Sequence, residues 1–245
     1  MTEKLPEYLA HLQETHPQLM QLSLPIVWMG TRVNSLPNRE GDDHANLCVN
    51  QCRVAWEAWN SVCCLAGYDY GLGAMGMCRN LFELVAGTLF LIQHPEKTHD
   101  FVDYGKKIAY ELVRDMGANN EYLNAFDSVA GYRTLASKFG TQSWHGMKIR
   151  GLVEAVGMGD LYKTFYKEAS SIAHGDSFIT LRYKNRTWQL TRGVDEWRAY
   201  IETSLRFALS LMTLLYFTAN VGLKLPYIAE AHKLAKLMKE NDLFG

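Results

Sequence analysis

Residues 70–93 read YGLGAMGMCRNLFELVAGTLFLIQ, and the class of the whole chain follows from that stretch. Gly73, Gly76, Asn80, Glu83 and Gly87 recur at alternating spacings of three and four, which places them on one side of a helix. The other sides carry Leu81, Phe82, Leu84, Val85, Leu89, Phe90, Leu91 and Ile92. A helix apolar on most sides is a buried helix. Its small, polar stripe is therefore expected to face another part of the protein, close enough for a helix end to approach. A carboxylate in that position must be paired or titrate abnormally. Arg79 stands one turn before Glu83, within reach of it.

A chain of 245 residues with 48% hydrophobic content can bury a full core. A formal net charge of −1 removes any global basic field that would favour nucleic acid, leaving only a local patch, with Lys148, Arg150, Lys163 and Lys167 as its candidate members. Five cysteines, two of them adjacent at Cys63 and Cys64, form no repeated framework, and no leader pattern precedes them. Buried free thiols in a reducing cytosol are the expectation. Cys48 and Cys52 lie one turn apart, but no second pair completes a four-ligand metal site, so neither metal nor cofactor is expected. Phe207–Leu223 is uncharged and approaches the lower limit of about 17 residues for a membrane span. Its Ser210, Thr213, Thr218 and Asn220, with a mean hydropathy of −0.16 for the chain, favour a central core helix and no membrane.

Outward from residues 70–93 the chain reads as mainly α: one bundle of about seven to eight helices with a small β-hairpin near 177–191. Residues 1–43 are expected to form a short helix, Pro6 to Glu14, and a turn-rich wrapping arm holding Pro25, Gly30, Pro37 and Gly41. Residues 44–245 then make the bundle domain. Asp42 or Asp43 can cap a helix from His44 to Tyr68, whose Trp56 and Trp59 are core positions. Pro95 opens the next helix, another spans 119–139, and a short one spans 147–156 and stops at Gly157. Phe178, Leu181 and Tyr183 face Trp188 and Leu190 across Lys184-Asn185-Arg186, the hairpin signal. Asp195 opens a long helix to Val221, and Pro226 opens the last. These two helices also offer an oligomerisation surface, a homodimer being one outcome.

The second candidate feature is YKTFYKEASSIAHG, residues 162–175. His174 closes a helix, where the carbonyl end of the dipole favours a protonated imidazole. Tyr166 and Ser170 lie two turns and one turn earlier on the same face, and Asp176 follows. His145 and His99 are expected in solvent. No phosphate loop, nucleophile elbow or HExxH is present.

The Arg79-Asn80-Leu81-Phe82-Glu83 helix, the proline-started helix after it, and the series Trp144, Tyr162, Tyr166, Ser170-Ser171, His174-Gly175 resemble the bacterial "domain of unknown function 5677" proteins. The resemblance spans roughly Asn46 to Leu181. It implies a helical fold and marks Arg79, Glu83, Ser170 and His174 as hallmark positions. More broadly, the chain is similar to the HEPN superfamily, helical proteins that include RNA-cleaving toxins and antiviral effectors. Their ribonucleases place an Arg four to six residues before a His. Here the formal match is Arg39 with His44, at a loop and helix cap, so a HEPN-like site would need Arg79 and His174 to meet from separate helices.

Two functions follow. In the first, a buried polar cluster binds a small ligand or a protein partner, with Arg79, Glu83 and His174 at its centre and Asn80, Tyr166, Ser170 and Asp176 around them. In the alternative, implied by the HEPN resemblance, the chain is a metal-independent ribonuclease or related nucleotide-directed enzyme in a defence or toxin setting. Arg79 would then hold a phosphate of RNA and His174 would transfer the proton, with Glu83 orienting Arg79.

Overall fold

The computed structural model describes residues 6–115, 129–173 and 193–241. Three long helices make the centre: α3 (Asp43–Gly67), α4 (Gly71–Gln93) and α10 (Gly193–Gly222). α4 packs along both of the others, and α3 also touches α10. α4 thus lies in the middle of the molecule, with Met75, Cys78, Leu81, Phe82, Val85 and Leu91 fully buried. Helices 71–93 and 199–222 are long and apolar enough to cross a membrane by length and composition. Here they pack against each other as the core pair.

The outer helices fasten to this core. α1 (Glu7–Thr15) and α2 (Pro17–Asn34) lie on α3. After the 3₁₀ turn Pro95–Lys97, α5 (Thr98–Asp115) packs mainly on α6 (Val129–Phe139). α7 (Ile149–Ala155) rests on α4 and ends at Gly157, whose φ of 76° is left-handed. α8 (Gly159–Leu161) runs through a π-helical turn (Tyr162–Tyr166) into α9 (Lys167–Ala173), which lies on α4. α11 (Ile228–Glu240) closes over α10 and α2. The mainly α reading holds, and no strand occurs among the described residues, whose α1–α11 exceed the seven to eight helices expected because the arm is itself largely helix α2 and the stretch 159–173 is divided by a π turn. The hairpin expected at 177–191 lies outside them.

Several boundaries match their local chemistry. Asp42 caps α3 by accepting from the Ala45 N–H at 2.9 Å. Trp59 is 4% exposed, and Trp56 stacks on it at 5.0 Å. The turn-rich connection expected after Pro17 is instead mostly the 18-residue helix α2, with Pro25 inside it. Proline removes the bond to the carbonyl four residues earlier. That carbonyl belongs to exposed Gln21, where water can take the bond. Gly30 is a packing position rather than a breaker, since a Cβ there would fall inside the Trp56 ring.

Residues 35–42 are the short link between α2 and α3, mostly exposed. Asn46 brackets the Arg39 backbone with two bonds, to its N–H at 2.7 Å and its carbonyl at 2.8 Å. The Arg39 guanidinium then donates to the carbonyls of Leu223 at 2.9 Å and Lys224 at 3.4 Å, tying this link to the end of α10.

Candidate functional site

α4 presents Arg79 and Glu83 one turn apart, and the guanidinium meets the carboxylate with Nη2 2.9 Å from Oε1. The same oxygen accepts the Tyr166 hydroxyl at 2.5 Å. Arg79 also lies over the Tyr166 ring, 5.9 Å from its centroid. Two donors from different helices therefore converge on one carboxylate oxygen. Among the described residues no bond to Oε2 is found.

The π turn places the tyrosine. A π turn holds more residues than an α turn, so it rotates the side chains that follow it relative to those before. Phe165 stacks on Phe207 of α10 at 3.5 Å, while the next residue, Tyr166, packs on Phe82 at 5.0 Å and points its hydroxyl at Glu83. Tyr162, one turn earlier, lies nearly parallel to the Tyr166 ring at 5.0 Å. Tyr166 is 6% exposed, and burial, then its bond to Glu83, raise its pKa above the ordinary value. Burial alone would lower the Arg79 pKa, but the bond with Tyr166 and the charge of Glu83 outweigh it and hold the cation firmly. Arg79 Nε is buried without a partner.

The cluster is half open. The Arg79 side chain is 22% exposed and that of Glu83 37%. This corrects the expectation that the stripe of α4 is sealed against the protein. Gly73 and Asn80 are exposed, and nothing lies within 4 Å of a Cβ built on Gly76. Neighbours come near only at the two ends of the stripe, the Leu65 side chain at 3.5 Å from a Cβ on Gly73 and the Trp144 ring at 3.8 Å from one on Gly87. The helix that arrives packs beside the stripe, through Tyr166, and leaves Gly76 and Asn80 without a close neighbour across from them among the described residues.

Of the residues singled out from sequence, Arg79, Glu83 and Tyr166 come together. Asn80 turns away, its amide 3.9 Å from Met77 Sδ. Ser170 is half-buried on α9 and makes no bond to these three. His174 and Asp176 lie outside the described residues. Tyr162 belongs to the arrangement although only its spacing from Tyr166, two aromatics one turn apart, announced it.

The formal Arg39–His44 pair does not form a catalytic couple. Arg39 is engaged by the carbonyls of Leu223 and Lys224 just after α10, and His44 Nδ1 donates to Thr98 Oγ1 at 2.9 Å, the Thr98 hydroxyl being committed to the Pro95 carbonyl. Burial lowers the His44 pKa. His145, expected in solvent, is half-buried in an edge-to-face contact with Trp144 at 5.1 Å, and its Nδ1 accepts from the Met147 N–H at 3.2 Å. Burial lowers its pKa too. Lys148, Arg150, Lys163 and Lys167 are all exposed, but Arg150 pairs with Glu154 and Lys163 with Asp160, which dilutes the basic patch. The five cysteines are free, and burial raises the Cys48 and Cys63 thiols to about 12, making them inert.

A family model described as "Family of unknown function (DUF5677)" matches residues 46–187, which include α4, the π turn and the whole Arg79–Glu83–Tyr166 cluster. No curated protein and no solved structure matches the chain.

Proposed function

The chain belongs to the DUF5677 family, a family of unknown function, and from that footing we propose that it is a binding module whose Arg79–Glu83–Tyr166 cluster takes up a small ligand or a polar group of a partner protein. The observation that carries this reading is the unequal use of the Glu83 carboxylate. Oε1 accepts from both Arg79 and Tyr166, which fixes the group in place, while Oε2 of this partly exposed side chain takes no bond from the described residues and suits an incoming donor. A preorganised acceptor costs little to fill, because the side-chain ordering is already done. Arg79 and Glu83 cancel in charge, so the cluster suits recognition better than general attraction of a polyanion. We place the protein in the cytosol, where its five free thiols persist.

The test is a thermal-shift comparison of parent and Glu83→Gln against a small-molecule extract of cells, then against its fractions. The parent is expected to gain melting temperature and the variant to lose most of that gain. Equal shifts in both proteins, or none in either, overturn the binding site at Glu83. The HEPN-like ribonuclease alternative is assayed with mixed single-stranded RNA, with and without divalent metal. Cleavage that disappears in His174→Ala overturns the binding-module reading, and none is expected.

A further inference from the structure

Farther along α10 than Phe207, one face carries three polar atoms that are buried and have no hydrogen-bond partner: Thr213 Oγ1, the Tyr216 hydroxyl and Asn220 Oδ1. All three residues are 0% exposed. Their spacings of three and four put them on one stripe of the helix. The stripe looks into the seam where α10 meets α2 and α3. Asn220 Nδ2 lies 3.6 Å from Met29 Sδ of α2 and donates to the Tyr216 carbonyl at 2.8 Å, which uses the amide donor and leaves the amide oxygen. Cys52 of α3 is near enough to add to the rise in the Tyr216 pKa, of which burial is the main cause.

Buried polar groups are nearly always satisfied, and three unsatisfied ones on a single stripe are a pattern rather than scattered exceptions. Two hydroxyls can each donate and accept, and an amide oxygen accepts. A water molecule, with two donors and two acceptors, complements that set. A cation does not: no Asp or Glu is among the buried residues described, and an uncompensated ion in a core costs far more than a water. A small pocket between α2, α3 and α10 is lined by Leu19, Ser23, Trp59, Cys63, Leu205 and Leu209, and Leu205 and Leu209 continue the spacing of four that leads to Thr213.

We infer that the α2–α3–α10 seam is an internal hydration site, in which long-lived water is held along the stripe of Thr213, Tyr216 and Asn220. Thr213 and Asn220 lie about 10 Å apart along the helix, so more than one water is needed to give each orphaned atom a partner, and together they join the end of α10 to the two helices beside it.

Oxygen-17 relaxation dispersion of the full chain, which counts waters that exchange slowly with bulk, tests this in the parent, Tyr216→Phe and Thr213→Val. The parent is expected to show a long-lived water contribution that falls in each variant, with no rise in melting temperature. An unchanged contribution in both variants overturns the proposal. So does a higher melting temperature for Tyr216→Phe, because removing a dry, unsatisfied hydroxyl is stabilising whereas removing a hydrated one is not. Should a variant fail to fold, cross-relaxation in the parent decides. A direct long-lived water signal at the Asn220 side-chain amide supports the site, and its absence overturns it.

Discussion

Glu83 Oε1 accepts from two donors in a cluster that is neither sealed nor free in water. Exposed ion pairs are worth up to about 1 kcal/mol and breaking a buried one costs about 3–5 kcal/mol. The geometry lies between these limits, with the buried Tyr166 hydroxyl as the second loss. Glu83→Ala is therefore expected to cost about 1–2 kcal/mol, and Glu83→Gln, which keeps an acceptor, less than that. Urea midpoints at constant m-value read it; an unchanged midpoint for the alanine variant rules out the cluster as a structural tie. His44 and His145 make a second prediction, on pH. Burial depresses both pKa values below the ordinary 6.5. Between that ordinary value and the lower folded one, the unfolded chain binds protons that the native protein does not. Stability should thus be full above the unfolded value and fall as pH drops from about 7 toward about 5. Midpoints measured across this range should decline, and His44→Gln should flatten the decline. A midpoint that rises on acidification contradicts the burial of these rings.

At the scale of single elements, glycines with the same sequence signature take opposite roles. Gly30 of α2 sits against the Trp56 ring, and Trp56 is stacked on Trp59, so it has little room to yield. Gly30→Ala is expected to destabilise by about 1–3 kcal/mol, the usual cost of overpacking. Gly76 of α4 faces open space, so Gly76→Ala should gain about 0.5–1 kcal/mol from helix propensity alone. Thermal melts of the pair would show opposite signs; two losses would mean that a neighbour covers Gly76. The same contrast explains what the sequence made legible. α3 is readable to within a residue or two because its Asp42 cap and apolar period agree, and α4 because it is apolar on most sides up to the break at Pro95. α2 was hidden because Pro25 and Gly30 resemble breakers, and only their tertiary surroundings (exposed Gln21 for one, Trp56 for the other) make them compatible with a helix. The Arg79–Glu83 pair was evident from its spacing. The π turn that delivers Tyr166 has no sequence signal, so the third member was visible only as one of several polar residues on a face.

For the molecule as a whole, the two long apolar segments α4 and α10 pack against each other at its centre. The sequence placed the middle of the molecule correctly because one segment was apolar on nearly every side. It could not say which surfaces of the outer helices complete the core. The link at 35–42 bears on this directly. It is mostly exposed, yet the residues before it deliver Leu12, Ile26, Met29 and Val33 into the shared core, each no more than 1% exposed. Covalent continuity there therefore contributes little beyond a local concentration of one part near the other. A protease site inserted between Pro37 and Asn38 should yield, once cut, two pieces that stay together through gel filtration and part only in denaturant. Expressed separately and mixed, the same pieces should reassemble, so that the protein can serve as a split reporter whose signal depends on α1 and α2 finding their seat.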